Sequence, residues 1–158
     1  KPDSQCFYSE TKVMAEKLVL EANPEAIIIR PRLPLSSVPH PRNTINKLLS
    51  YGKINDNQES VTVLEDMFPR IVELIEKDEK GIFHLVNAGT ISPAEIALAL
   101  DHKFELVSKK DQDERLEKEG RAKRVTSYVG SERIELLPNI REKINNIIQV
   151  YGDQKRGQ

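Results

Sequence analysis

Tyr8 and Lys12 stand four residues apart in Tyr8-Ser-Glu-Thr-Lys12. On a helix that spacing puts a phenol one turn from an ammonium. A free tyrosine titrates near ~10, too high for ready proton exchange at neutral pH. A lysine charge held a few ångströms away favours the phenolate. Such a pair can act as general acid or base in the interconversion of a carbonyl and an alcohol. The lysine keeps donors in reserve for a ribose hydroxyl. Tyr151 and Lys155 repeat the spacing, but across Gly152 in what reads as a polar tail, so that match is set aside as accidental.

The remaining reactive side chains suggest simpler roles. His40, His84 and His102 lie far apart, and Cys6 adds little to them, so no metal site is expected. Within Phe83-His84-Leu85, His84 reads as a packed or edge histidine, and Cys6 as a small buried hydrophobe. Ser36-Ser37 has no His/Asp partner nearby in sequence for a hydrolase triad. Glu65 and Asp66 read as first-turn acids favoured by a helix dipole. The mixed-sign stretch from Lys109 to Arg124 reads as a solvated face.

The elements that must position Tyr8 and Lys12 follow from periodicity. Phe7, Thr11, Met14 and Leu18 recur at helical spacing, with Tyr8, Lys12, Ala15 and Val19 beside them. Asn23-Pro24 ends that helix. Ala26 to Arg30 reads as a strand covered on both faces. From Pro31 to Pro41 four prolines in eleven residues predict a stiff loop leaving the strand's carboxyl end. A short helix is expected over Asn43–Ser50, a strand over Ser60–Val63, and a helix over Glu65–Lys77 with apolar Met67, Phe68, Ile71, Leu74 and Ile75. Pro69 fits that helix only in its first turn. Gly81–Val86 reads as a strand, and Ser92-Pro93-Ala94-Glu95 as a capping box opening a helix. Phe104–Val107 and Val125–Tyr128 are expected strands flanking a charged helix near Asp111–Glu119, and Ile140, Ile144, Ile147 and Ile148 mark a final helix. Alternating strands and helices predict an α/β or mixed architecture with parallel pairing.

The chain has 158 residues, 38% hydrophobic and 31% charged, which excludes wholesale disorder and suits one domain. Its formal net charge of −1 argues against nucleic acid or an anionic membrane surface as partner. No apolar run approaches the length of a membrane span. One cysteine and no signal-like start predict a reducing, cytoplasmic setting. A chain beginning at Lys1 and running directly into helix-like sequence reads as cut from something longer, and residues 151–158 as a polar tail.

Taken in order, these motifs resemble the extended short-chain dehydrogenase/reductases, the NAD-dependent epimerase/dehydratase group. Within that group, Arg30-Pro-Arg-Leu-Pro-Leu-Ser-Ser37, Pro41-Arg-Asn-Thr-Ile-Asn-Lys47, Thr62-Val-Leu-Glu-Asp66 and Gly81 to Glu95 are similar to the nucleotide-sugar 4-reductases and epimerase/reductases of rhamnose synthesis. The resemblance implies that residues 1–150 are the C-terminal half of such an enzyme: the catalytic helix, the last strands of a Rossmann-like parallel sheet, and a small mixed α/β substrate-binding region. It implies reduction of a nucleotide-linked 4-keto-6-deoxy sugar, with or without epimerisation. Tyr8 would be the catalytic acid, and Lys12 would assist it and hold the nicotinamide ribose. Backbone around Pro31, Arg32 and Leu33 would border the nicotinamide, while Arg42 and Asn43 would meet the nucleotide-sugar.

None of Gly52, Gly81, Gly89, Gly120, Gly130, Gly152 and Gly157 makes the Gly-rich turn that holds a dinucleotide pyrophosphate. NAD(P)H would therefore be bound through a separate N-terminal half, and the chain alone is not expected to turn over. An open sheet edge in such a fragment invites pairing, so a homodimer is a further expectation. The reading from a different class is a dehydrogenase-like binding or regulatory module without chemistry.

Overall fold

The computed structural model describes residues 7–120 and 128–156. Cys6 and most of the strand expected at Val125–Tyr128 lie outside them. Helix α1 (Phe7–Ala22) ends where Asn23-Pro24 forbids another turn, and β1 (Ile27–Pro31) follows. The proline-rich stretch contributes only the two-residue strand β2 (Pro34–Leu35). After it come α2 (Thr44–Leu48), β3 (Lys53–Asn55), β4 (Thr62–Val63) and α3 (Leu64–Glu76). The chain then runs through β5 (Gly81–Leu85), α4 (Pro93–Ala99), β6 (Glu105–Val107), α5 (Lys109–Lys118) and α6 (Ile140–Arg156). The three strand pairs β1–β5, β2–β4 and β3–β6 are all parallel, as the alternating pattern predicts. The fold is α/β.

The β1–β5 pair is covered on both sides. Ile28 stands beside Ile82 and Arg30 beside His84, and this face meets α1. Phe83, Leu85, Ile27 and Ile29 form the opposite face and pack on Met67, Ile71 and Leu74 of α3. A larger core joins Leu35, Ile45, Val61 and Val63 to Ile91, Ile96 and the Ile140, Ile144 and Ile147 ridge of α6. A smaller one gathers Ile54, Ala94, Ala97 and Phe104.

Several expectations change. Ile27 to Arg30, though covered on both faces, are only half-buried, because β1 has β5 as its one strand partner among the described residues. Phe7, Met14 and Leu18 are exposed, and α1 turns Val13, Glu16 and Leu20 inward instead. Apolar spacing there identified the helix but not the face it presents. Phe68 and Ile75 of α3 are likewise exposed. Pro69 sits in the second turn of α3, at the cost of one backbone hydrogen bond. Residues 151–156 are helix, not tail: α6 continues through Gly152 to Arg156, and Tyr151 is 0% exposed in the larger core. The helix continues because burying that phenol outweighs the weak helix propensity of one glycine.

Candidate active site at the carboxyl end of β1

Glu16 fixes how α1 lies on the sheet. Its carboxylate accepts from Arg30 Nε at 2.8 Å and is gripped by a second guanidinium nitrogen of the same residue, both side chains being about three-quarters buried. One turn further along α1, Leu20 and Glu21 share a groove with Ile82, one step back along the sheet. The helix therefore runs antiparallel to β1. With ~1.5 Å of rise per residue, Lys12 and Tyr8 are carried roughly 6 and 12 Å from Glu16, towards and past the strand's carboxyl end.

Tyr8 is 69% exposed, and Lys12 Nζ stands 5.3 Å from the centre of its ring. That is cation–π distance, so the lysine touches the aromatic face. The Arg30 pair is electrically tuned. Hydrogen bonding to Arg30 holds the Glu16 carboxyl below its usual value despite the opposing effect of burial, and Glu16 in turn raises Arg30. His84 Nε2 lies 3.3 Å from Arg30 Nη1; burial and then the guanidinium charge push this imidazole below its ordinary value.

The loop following β1 closes the same end of the sheet. Arg32 N–H donates to Thr62 Oγ1 at 2.8 Å, and that buried hydroxyl donates to Leu85 C=O at 2.6 Å. Arg32 Nη2 also reaches Glu59 Oε2 at 2.7 Å. These bonds stitch the loop across β4 to β5. Between them Leu33 takes φ +38°, a left-handed conformation that costs a side-chain-bearing residue energy and needs surrounding contacts to hold it. Thr44 Oγ1 donates to Pro34 C=O at 2.7 Å.

Asn43 is buried and fully occupied with structure. Its Oδ1 caps α2 through Ile45 N–H at 3.1 Å, and Nδ2 donates to Ser36 C=O at 2.7 Å and Val38 C=O at 2.8 Å. Its amide thus shapes the loop. Arg42 beside it is exposed. The direction of α1 thus points its Tyr8 and Lys12 end towards the carboxyl end of β1, from which Pro31, Arg32 and Leu33 leave, and Asn43 braces that loop further along.

Sequence reasoning missed Glu16 and Glu59, and read Glu65 only as a first-turn acid. Only Glu16 carried a local signal, standing one turn beyond Lys12 on the same helical face. Of the other histidines, His102 Nε2 approaches Tyr51 C=O at 2.9 Å, and His40 Nδ1 accepts from Arg42 N–H at 3.1 Å. The first contact spans 51 residues and the second two.

No protein-family model matches the chain. Over 91 residues, 57% of its length, it is 38% identical to a trifunctional UDP-glucose 4,6-dehydratase/UDP-4-keto-6-deoxy-D-glucose 3,5-epimerase/UDP-4-keto-L-rhamnose-reductase from Arabidopsis thaliana, covering 14% of that protein. The solved L780 UDP-rhamnose synthase from Acanthamoeba polyphaga mimivirus superposes with TM-score 0.62 at 22% identity, over 92% of this chain and 52% of that one. The NADP complex of dTDP-4-dehydrorhamnose reductase from Bacillus anthracis gives TM-score 0.68 at 19% identity, over 90% and 54%. The chain spans about half the length of each of these solved structures. By fold it is the Rossmann-like α/β kind shared by these reductases, and its curated relatives are enzymes of nucleotide-rhamnose synthesis.

Proposed function

We propose that the chain is the catalytic and substrate-binding half of an NAD(P)H-dependent reductase of nucleotide-linked 4-keto-6-deoxy sugars, working with a separate dinucleotide-binding half. The observation that carries this reading is the Glu16–Arg30 pair. It docks α1 so that Tyr8 and Lys12 project to the carboxyl end of β1, beside a strained loop, where open α/β sheets bind ligands.

The residues present suit a nicotinamide nucleotide. Lys12 carries an exposed ammonium for a ribose hydroxyl, and the backbone of Pro31, Arg32 and Leu33 forms the rigid edge for the ring. When bound, that group supplies the hydride received by the carbonyl carbon. Tyr8 Oη donates its proton to the carbonyl oxygen, which completes the alcohol, and Lys12 keeps positive charge against the resulting phenolate. Arg42, exposed and fork-shaped, would meet the diphosphate of the nucleotide-sugar. Asn43 serves the site indirectly by holding the loop. The curated relatives are enzymes, which favours chemistry over a purely binding module. The proposal extends to a cytoplasmic setting and to self-association as a homodimer.

Replacing Tyr8 by Phe in the complete protein tests the assignment. Turnover of the 4-keto sugar should fall by about 10²–10⁴-fold, while the affinity for NAD(P)H stays within about twofold. Undiminished turnover overturns it.

A further inference from the structure

A loop with prolines at 31, 34, 39 and 41 has few backbone N–H groups with which to build a ladder, so side chains must hold it in place. Two do so at residues 36–38, from two different helices. On one side Asn43, the N-cap of α2, donates to the carbonyls of Ser36 and Val38. On the other, Glu65 in the first turn of α3 offers a single oxygen to three donors. Its Oε1 accepts from Ser37 N–H at 2.7 Å, Ser37 Oγ at 2.8 Å and Ser36 Oγ at 2.9 Å. Ser36 Oγ also accepts from Val38 N–H at 3.1 Å, which closes the turn on itself.

The neighbouring acid does something else. Asp66 accepts from Asn87 Nδ2 at 3.0 Å and Lys143 Nζ at 3.1 Å, and so ties α3 to the segment after β5 and to α6. A need for negative charge at a helix N-terminus does not distinguish the two acids; their partners do. Burial works to raise the Glu65 carboxyl, but the Ser37 amide and the two hydroxyls outweigh it and keep it below the usual carboxylate value. The ionised oxygen is the form that accepts all three bonds.

We propose that Glu65 is a positioning residue: by clasping Ser36 and Ser37 it fixes the loop after β1 as one wall of the nucleotide-sugar site. The clasp lies on the same loop as Arg32 and Leu33, a few residues further from β1, so releasing it loosens the turn at residues 36–38 and leaves Asn43 to hold the Ser36 and Val38 carbonyls. Tyr8 and Lys12, held separately through Glu16, keep their place. The loss should therefore fall on substrate binding more than on the chemical step.

The catalytic consequence rests on the reductase reading above, and the test separates the two. In the complete protein, Glu65→Ala and, independently of α3, the double variant Ser36→Ala/Ser37→Ala are compared with Glu65→Gln, which retains an acceptor oxygen. Amide exchange over residues 36–42 should quicken by about tenfold or more in the first two and recover in part in the third. KM for the nucleotide-sugar should rise about tenfold in the same two variants, with a smaller change in kcat. Should Glu65→Ala fail to fold, the double serine variant carries the test alone. Unchanged exchange, or quickened exchange with an unchanged KM, overturns the proposal. If the wild-type protein does not reduce the sugar, the reductase reading fails, while the exchange arm still decides whether Glu65 holds the loop.

Discussion

At the scale of single residues, the buried polar groups carry the sharpest consequences. Asn87, 1% exposed, accepts from Val63 N–H at 2.7 Å, the amide at the N-cap of α3, and donates to Pro138 C=O at 2.7 Å and to Asp66. Replacing it by Leu leaves the Val63 N–H and Pro138 C=O without this partner and Asp66 with Lys143 alone of the two, which should cost about 2–4 kcal/mol in urea unfolding. Glu95 gives a pH signature. Burial opposes its ionisation, but bonds from Arg141, Ser92 N–H and Gln58 win and bring its carboxyl down to about 2. A carboxylate depressed in the folded state stabilises fully above its ordinary value near ~4.5, and that contribution is lost as pH falls towards 2. Thermal melts from pH 5 down to pH 2 should show this loss, and Glu95→Gln should flatten the slope. The Ser92–Glu95 box was legible in the sequence because all its parts lie within four residues, and the structure forms it with both bonds. Asn87 was not, since its partners are 21, 24 and 51 residues away.

At the scale of elements, α1 is the least secured. None of its residues is buried, and the Glu16–Arg30 pair is its principal polar tether to the sheet. Glu16→Gln should destabilise the docked helix by about 1 kcal/mol. Hydrogen exchange should accordingly quicken along residues 7–22 while the amides of β5 and α6 keep their protection; uniform protection throughout would contradict the tether. The two titratable groups around Arg30 add a pH effect of one sign. His84 is depressed, so its contribution is complete above ~6.5 and falls away below as the unfolded chain binds a proton the folded one resists. Glu16, also depressed, loses its contribution only below its ordinary ~4.5. Docking of α1 should therefore loosen in two stages on acidification. The helix itself was readable from apolar spacing. Its inner face was not, because the stripe chosen by hydrophobicity stays in solvent and an ion pair decides the orientation.

At the scale of the whole molecule, an open edge and two apolar helix faces lie together. β1 pairs with β5 alone among the described residues, and on either side of that pair α1 exposes Phe7, Met14 and Leu18 while α3 exposes Phe68, Val72 and Ile75. Unpaired strand edges flanked by apolar surface attract further chains. The chain alone, 18.0 kDa, should associate as its concentration rises, and Phe68→Lys with Val72→Lys should weaken that association. A concentration-independent 18.0 kDa species in sedimentation velocity would contradict this.

What the sequence determined by itself was whatever rests on near neighbours along the chain. The Tyr8–Lys12 spacing, the capping box, the stop at Asn23-Pro24, the proline-stiffened loop and the parallel α/β alternation all follow from steric and hydrogen-bonding rules acting over a few residues. Tertiary structure alone decided which carboxylate meets which partner: Glu16 with Arg30 across 14 residues, Glu65 with Ser37 across 28, Glu59 with Arg32 across 27. It also drew Tyr151 into the core and made helix of an expected tail. The reason is physical. A charged or polar side chain imposes no periodic pattern on the chain that carries it, and its partner is chosen only when strands and helices distant in sequence have packed and removed the water between them.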